Sequence, residues 1–390
     1  MSSTAAAGTS ADAVQVYWNR ELPPLEQPSP IYHAYAGRAA KKDEDRWDAR
    51  GYAENEPFAA FGVFDGHSGK LTAQYCASQI LERLVASRTP RDPPTIVDAF
   101  WKADEDIGRC LWPQHGPTPD GSTATILVAE KVADAVACVF AWCGDSTAIA
   151  VSMSSGTIVA STVDHAAESS DEQGALTRLQ AVRRRVEGGS TVRDALEAEA
   201  GASFSGVQTL EDEVDMVTRA LSRAEAIATV HDIGAASRRN LYVQPRSTAK
   251  GRSSHHPLVV ATETSHSHPQ YYDLQMTRSI GDWKGPDLVL PHPEMRAFEV
   301  GAGEHVRAIV ASDGLWSVCS HETAAQVARS CPSAQTAANQ LLELAEQAYF
   351  SRRGKSVMGD DTTVLCVDLN PSQLPFAPPP PAAKRGCTIS

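Results

Sequence analysis

Residues 61–69 read Phe-Gly-Val-Phe-Asp-Gly-His-Ser-Gly. The apolar residues before Asp65 and the glycine after it predict a buried strand that ends at a carboxylate. A second Asp-Gly pair, at 313–314, follows the apolar run 308–312. A buried carboxylate at a strand end is costly to desolvate unless a cation binds it. One Asp-Gly pair alone is more often an ordinary turn, so the two segments must be considered together.

Further carboxylates stand at the edges of predicted strands. Asp145 follows the apolar run 135–142, the pair Asp360 and Asp361 stands directly before the run 362–365, and Glu44 and Asp45 lie in a charged segment. Oxygen ligands of this kind select hard cations such as Mg²⁺ or Mn²⁺. Two such ions can bind a phosphate and activate a water molecule. Spacing alone leaves both alternatives open, the metal site and a set of ordinary turns.

Composition narrows the class of protein. The chain has 390 residues, a formal net charge of −13 and 42% hydrophobic residues. This charge argues against nucleic acid as a partner, because nucleic-acid binders need a positive face. No run of about 18 apolar residues predicts a membrane-spanning helix. The N-terminus lacks a secretory signal, and the cysteines form no C-x-x-C pair, so we expect reduced thiols in the cytoplasm.

The order of apolar patterns predicts sheets that are covered by helices. Predicted strands lie at 58–64, 124–129, 135–142, 147–152, 157–162, 307–312 and 362–369. Predicted helices lie at 70–88, 95–111, 333–350 and 321–330, the last capped by Ser320. We expect a flexible N-terminal segment at 1–30, a catalytic domain at 31–369 with an insertion at about 190–270, and a Pro-rich tail at 370–390.

Six segments, taken in order, resemble the motifs of the protein phosphatase 2C family, which are metal-dependent serine/threonine phosphatases. The segments are FGVFDGHSG at 61–69, DGSTATILV at 120–128, WCGDS at 142–146, TRSIGD at 277–282, ASDGLW at 311–316 and GDDTTVL at 359–365. The resemblance implies an α+β fold in which two antiparallel sheets are flanked by helices, a four-layer α-β-β-α sandwich. It implies hydrolysis of phosphoserine and phosphothreonine by a water molecule that two Mg²⁺ or Mn²⁺ ions activate.

Site residues follow from the resemblance position by position. Asp65 is expected to bridge both ions and to serve catalysis, with His67 as the acid that protonates the leaving alkoxide. The expected metal ligands also include Glu44, Asp45, the carbonyl of Gly66, Asp145, Asp313, Asp360 and Asp361.

Three departures from the family pattern bear on the site. No arginine stands at the usual phosphate-binding position, and we expect Arg38, rather than Lys41 or Lys42, to take this role. Ser317 stands where the family often has Asp, which leaves open a third ion with Asp145 as its main ligand. Asp361 stands where Asn is common, so Asp360 and Asp361 can exchange roles.

Two functions are compatible with this pattern. The first is an active, monomeric phosphatase that acts on phosphoprotein substrates. The alternative is a catalytically inactive scaffold or regulatory binding protein of the same fold, which would require a lost metal ligand. None of the expected ligands is missing from the sequence, and no nucleotide-binding loop of the G-x-x-x-x-G-K-[ST] type occurs.

The chain ends in Cys387-Thr388-Ile389-Ser390, which fits a C-a-a-X prenylation motif with Cys387 as the farnesylated residue. A single prenyl chain gives only weak, reversible membrane binding. We therefore expect a cytoplasmic protein that associates peripherally and reversibly with a membrane. Mass spectrometry of the protein from its native host should show a farnesylated terminus without the last three residues. An unmodified chain ending in Ser390 would show that Cys387 is not farnesylated.

Overall fold

The computed structural model describes residues 32–39, 41–51, 58–111, 120–199, 201, 204–230, 240–244, 258–262, 271–283, 287–353 and 360–370. Its strands are β1 (Tyr32–Ala39), β2 (Arg46–Arg50), β3 (Phe58–Phe64), β4 (Gly66–His67), β5 (Gly121–Ser122), β6 (Ala124–Val132), β7 (Ala135–Cys143), β8 (Thr147–Ser152), β9 (Ile158–Ser161), β10 (Asn240–Gln244), β11 (Leu258–Thr262), β12 (Tyr271–Leu274), β13 (Ile280–Gly281), β14 (Glu294–Val300), β15 (Val306–Ala311) and β16 (Thr362–Leu369). Its helices are α1 (Leu71–Ala86), α2 (Pro93–Asp106), α3 (Ser170–Glu187), α4 (Val192–Ala198), α5 (Leu210–Val230), α6 (Asp313–Trp316), α7 (His321–Ser330) and α8 (Ala334–Arg353).

Two five-stranded antiparallel sheets form the centre of the fold. One has the strand order β1-β16-β15-β8-β9 and the other β14-β7-β6-β3-β2. Alternate side chains point to opposite sides of a strand, and both sides of the central strands are buried. In β3, Phe61 and Val63 belong to the cluster between the sheets, whereas Ala60 and Phe64 belong to the cluster beneath the outer helices. The predicted strands are confirmed, with ends that differ by a few residues at most.

Helices cover the outer face of each sheet. On one side, α1 and α2 pack Ile80, Leu84 and Phe100 against β3 and β6. On the other side, α6, α7 and α8 pack against β15 and β16, with Leu341 and other side chains fully buried. Burying one such side chain stabilises the fold by about 1.5–3 kcal/mol. The four-layer α-β-β-α sandwich expected from the sequence is therefore confirmed.

Local signals placed most helix ends well. Ser320 precedes α7, and its hydroxyl accepts a hydrogen bond from the Thr323 amide at 3.2 Å, as the capping prediction requires. The predicted helix at 95–111 is instead two pieces, because α2 ends at Asp106 and a π-helical turn, Ile107–Leu111, follows. Within the described residues, no helix combines the length and apolarity that a membrane span requires.

Three helices, α3, α4 and α5, form a separate cluster beside the sandwich. Their apolar side chains, such as Leu179 and Val217, pack together with Trp101 of α2 and with the segment 288–290. The strands β10, β11 and β12 form a three-stranded antiparallel sheet of their own. The polar segment 246–256 of the predicted insertion lies outside the described residues, as do the predicted flexible segment 1–30 and most of the Pro-rich tail.

A buried ion pair ties one sheet to its helices. Arg307 of β15 is fully buried and donates to both carboxylate oxygens of Asp368, at 2.6 and 2.9 Å. It also donates to the Ala328 carbonyl at 2.6 Å and the Cys331 carbonyl at 2.9 Å. Burial alone would raise the pKa of Asp368, but His305 and Arg307 hold it below its ordinary value. The guanidinium therefore joins β15 and β16 to the end of α7.

Replacing Arg307 by Met should leave Asp368 as a buried charge whose remaining partners are His305 and the Ala334 amide. We expect the free energy of unfolding in urea to fall by about 3–5 kcal/mol, the usual cost of breaking a buried pair from one side. The matched control is Arg296→Met on the edge strand β14, where the side chain is exposed. The double variant R307M/D368L should recover part of the loss, since no buried charge then remains. An R307M loss no larger than that of R296M would contradict this account.

Candidate active site

The fold brings carboxylates from five segments to one end of the sandwich. Strands β15 and β16 are antiparallel neighbours, so Asp313, which follows β15, lies near Asp360, which precedes β16. Strands β2 and β3 are also antiparallel, with Arg46 opposite Phe64, and Asp45 therefore lies near Asp65. Asp145 lies in the turn between β7 and β8. Residues that are up to 315 positions apart in the sequence thus share one site.

The pKa values of these aspartates reflect their burial and the repulsion between neighbouring carboxylates. Burial raises the pKa of Asp65 well above its ordinary value, and the charges of Asp45, Asp313 and Asp145 raise it further. Burial, together with Asp145, Asp360 and Asp45, raises the pKa of Asp313 to about 8. The pKa of Asp145 is also raised, mainly by burial. Such a group of buried acids lacks enough local positive charge to stay ionised.

Unsatisfied oxygen atoms make the site suitable for a hard cation. Asp45 is fully buried, and its Oδ1 has no hydrogen-bond donor, whereas its Oδ2 accepts the Ser312 hydroxyl at 2.8 Å. Within the described residues, no three His, Cys, Asp or Glu side chains already stand in the arrangement of a metal-binding group. The fold therefore assembles the charges and the oxygen chemistry that Mg²⁺ or Mn²⁺ requires, and the side chains must adjust to enclose an ion.

The two neighbouring aspartates at the start of β16 have different surroundings. Both oxygens of Asp361 accept backbone amides from the segment 41–45, including Lys42 and Glu44 at 2.6 Å each and Asp45 at 3.3 Å. Burial tends to raise the pKa of Asp361, but these amides hold it below its ordinary value. Asp360 instead pairs with the Lys42 ammonium at 2.9 Å. Asp361 therefore shapes the 41–45 segment, and Asp360 faces the other carboxylates.

Gly66 fits a place that no other residue can occupy. A Cβ there would lie 2.7 Å from the Glu44 carbonyl oxygen and 2.9 Å from the Gly69 carbonyl oxygen. Because Gly66 has no side chain, the Glu44 backbone can approach the start of β4 this closely. The Glu44 carboxylate lies 3.7 Å from the Lys42 ammonium, and the charges of Asp360, Glu44 and Asp65 together raise the pKa of Lys42 against the effect of its partial burial.

A second three-stranded sheet, β13-β5-β4, places His67 beside an acid. Strand β5 pairs with both β4 and β13, so Gly121 lies opposite His67 on one side and opposite Gly281 on the other. His67 Nε2 consequently lies 2.8 and 2.9 Å from the two carboxylate oxygens of Asp282. A Cβ at Gly121 would lie 2.2 Å from Asp282 and 2.4 Å from His67, so this contact requires glycine.

The protonation of His67 follows from its neighbours. Burial alone would lower the pKa of His67, but Asp282, Asp145 and Glu44 raise it above its ordinary value. The acids around the ring therefore favour its protonated form, in which it can donate a proton. Asp282 was missed by the analysis of the sequence, although it ends the TRSIGD segment. Its sequence signals are its place in that segment and the preceding Gly281, where the backbone turns.

Two of the predicted residues, Arg38 and Cys387, have side chains outside the described residues. The backbone of Arg38 pairs with Thr363 in the sheet, but its side chain lies outside the described residues, so its phosphate-binding role stays a prediction. Cys387 also lies outside them. Asp164, which the analysis of the sequence did not select, lies near the site: burial, Asp145 and Glu168 raise its pKa to about 7.

The family profile described as Protein phosphatase 2C matches residues 39–197 and 259–351, which together are more than half of the chain. The chain belongs to the protein phosphatase 2C family. An Arabidopsis thaliana protein named Probable protein phosphatase 2C 12 is 25% identical over 338 residues, 84% of this chain and 58% of that protein. A rice protein (Oryza sativa subsp. japonica), Probable protein phosphatase 2C 33, is 28% identical over 340 residues, 84% of this chain and 57% of that protein. The chain thus spans less than three fifths of the length of both relatives.

Two solved structures agree with this chain in fold. The serine-threonine phosphatase 2C from Toxoplasma gondii superposes with a TM-score of 0.55 at 17% identity, over 88% of this chain and 96% of that chain. A C. elegans sex determining protein superposes with a TM-score of 0.50 at 17% identity, over 93% of this chain and 71% of that chain. At this level of identity the likeness concerns the fold alone.

Removing one repelling carboxylate should stabilise the metal-free protein. The pKa of Asp313 rises on folding from 3.8 to about 8, so its contribution favours folding at low pH and is lost as pH rises through this range. We expect D313N to melt at a higher temperature than wild type at pH 8 in chelator, and to gain less from added Mn²⁺. Thermal melts at pH 5 and pH 8 measure both effects.

The matched control for this test is Asp361→Asn. The pKa of Asp361 is lowered on folding, so this carboxylate stabilises the fold above its ordinary pKa. Losing one acceptor oxygen there should cost about 1–3 kcal/mol. D361N should therefore melt at a lower temperature than wild type under the conditions in which D313N melts higher. If D313N also melted lower, the repulsion described above would not govern the site.

Proposed function

We propose that this chain is a metal-dependent hydrolase of phosphoserine and phosphothreonine in proteins. The observation that carries the proposal is the convergence of Asp65, Asp313 and Asp360 beside His67, whose ring contacts Asp282 at 2.8 Å. An acidic site can receive a phosphate only when cations supply the positive charge. The family to which the chain belongs consists of serine/threonine protein phosphatases, which supports the same reaction and substrate class.

Two divalent ions, Mg²⁺ or Mn²⁺, fit the carboxylates. Asp65, at the centre of the cluster, would contact both ions, with Asp313, Asp360 and Glu44 as further ligands and Gly66 offering its carbonyl. When bound, the ions supply positive charge to the phosphate and lower the pKa of the attacking water. Asp45 and Asp361 hold the surrounding backbone in place. Asp45 accepts a hydrogen bond from Ser312, and Asp361 accepts hydrogen bonds from the 41–45 amides.

The protein's own part in bond cleavage falls to His67. An alkoxide leaving from phosphoserine or phosphothreonine is a strong base and needs a proton as the bond to phosphorus breaks. His67 holds that proton, and Asp282 fixes the ring and stabilises its positive charge at 2.8 Å. Buried surroundings strengthen this interaction, because little water screens it.

Lys42 is a second candidate for the phosphate contact, beside Arg38. Its ammonium already lies at the carboxylates, 2.9 Å from Asp360 and 3.7 Å from Glu44. Cations bound by these acids would release Lys42 from its present pairing. An ammonium is a single point charge, however, whereas a guanidinium can hold a phosphate through two parallel hydrogen bonds. The two side chains can therefore share the task.

The alternative is a catalytically inactive scaffold or regulatory binding protein. Such a protein tolerates loss of a metal ligand, since its fold does not depend on the ions. Every expected ligand is present, and the carboxylates remain buried together at a cost in folding stability. This cost has a clear purpose only if ions bind, which favours the active enzyme.

The purified chain should release phosphate from a phosphothreonine peptide in the presence of Mn²⁺, and excess chelator should abolish the release. Asp65→Asn should lower the rate at saturating peptide by at least about a hundredfold, because it removes the ligand shared by both ions. The matched control is Asp134→Asn in the β6–β7 turn, an exposed aspartate distant in the fold, which should leave the rate unchanged. Phosphate release that persists in chelator, or in D65N, would disprove the metal-dependent mechanism.

A further inference from the structure

Arg223 of α5 is a buried arginine whose contacts leave its own helix. It is only 5% exposed. Its guanidinium donates to both carboxylate oxygens of Asp104 on α2, at 2.8 and 3.2 Å. It also donates to the Gly281 carbonyl at 2.5 Å and to the Asp287 carbonyl at 3.3 Å. One side chain thus joins α5, α2 and the segment that follows β13.

Asp104 holds the same segment from the other side. Its carboxylate accepts the Gly281 amide at 2.8 Å and the Trp283 indole N–H at 3.3 Å. Both backbone polar groups of Gly281 are therefore fixed, the amide by Asp104 and the carbonyl by Arg223. Backbone groups held in this way leave the next residue, Asp282, little freedom to shift.

The backbone at this point needs external support. Gly281 has φ +87° and Asp282 has φ +54°, so both lie in the left-handed region. That region is unfavourable for a residue with a side chain, and it persists only where surrounding contacts fix it. Arg223 and Asp104 provide this support at Gly281, and the Asp282 amide donates to the Asp120 carbonyl at 3.2 Å. Asp282, held in this conformation, reaches His67 at 2.8 Å.

We propose that Arg223 and Asp104 are positioning residues that set the place of His67 through Gly281 and Asp282. The inference rests on the proposed function, since it assigns a task to the proton donor of that reaction. Arg223 belongs to α5, which lies between the two stretches that match the family profile. A part of the chain outside those stretches thus takes part in orienting the catalytic acid.

The competing explanation is that the ion pair only stabilises the fold, as many buried pairs do. The two explanations differ in which substrate is hydrolysed more slowly by the variant. A displaced His67 slows substrates whose leaving group needs a proton, such as a phosphothreonine peptide. It hardly affects p-nitrophenyl phosphate, because the nitrophenolate leaves without one. A loosened fold or a damaged metal site slows both substrates alike.

The neighbouring arginine on the same helix provides a matched control. Arg219 pairs with Asp98 of α2 at 2.7 Å and with Asp215 at 2.8 Å, and it makes no contact with the 281–283 segment among the described bonds. Arg219 and Arg223 also line the same cavity of about 750 Å³ between α2 and α5. Arg219→Gln therefore removes a link between these two helices without touching the support of Gly281.

The experiment compares R223Q and R219Q in the full chain with Mn²⁺ and both substrates. We expect R223Q to slow the phosphothreonine peptide by about tenfold, a part of the 10²–10⁴ that general acid catalysis contributes, and to leave p-nitrophenyl phosphate within about twofold. R219Q should change neither rate. In a H67Q background, R223Q should cause no further loss with the peptide. Should R223Q fail to fold, R223K replaces it, because lysine keeps the charge but cannot bridge Asp104 and Gly281.

Equal loss with both substrates, or further loss in the H67Q background, would overturn the positioning role. A separate measurement does not depend on catalysis: the NMR resonance of the His67 ring in the Mg²⁺-loaded protein, assigned by its disappearance in H67Q. R223Q should shift this resonance and R219Q should not. A wild-type chain inactive on both substrates would refute the proposed function, and the NMR comparison would still decide whether Arg223 positions His67.

Discussion

Carboxylates that repel one another must be buried together at the end of the two sheets, and much of the surrounding structure exists to hold them there. Asp65 and Asp313 follow the central strands β3 and β15, which are fixed by neighbours on both edges and by packed layers on both faces. The strand ends cannot easily separate to relieve the repulsion. The sandwich therefore keeps these carboxylates buried and close to one another, and burial and their mutual repulsion raise the pKa of Asp313 to about 8.

Neutral and charged supports compensate for this repulsion at its margin. Four backbone amides hold Asp361, and Ser312 holds Asp45, so each of these acids has hydrogen-bond donors supplied by the protein itself. Lys42 contributes a positive charge that can leave, since its long side chain is partly exposed. The site thus combines fixed donors, which define its shape, with one mobile cation, which can give way to metal or phosphate.

Sequence reasoning identified the parts of the fold that local patterns encode. Strands β3, β15 and β16 are buried on both faces and therefore appear as continuous apolar runs, which also located Asp65, Asp313 and Asp360. Strand β14 was not predicted, because it is an edge strand in which exposed and half-buried residues alternate irregularly. The π-helical turn after α2 was also missed, since its sequence continues the helical pattern of apolar residues.

The missed residues of the site share one property: their roles depend on contacts between distant segments. Asp282 acts on His67 only because β5 lies between β4 and β13, and no local pattern reports such a three-strand pairing. The same holds for Arg223, which from the sequence is one basic residue on an amphipathic helix. Its burial against Asp104 connects the backbone before Asp282 to a helix that contributes nothing to the carboxylate cluster. Under the proposed function, a change in the α3–α5 cluster would therefore alter proton transfer by His67 while the carboxylate cluster stays intact.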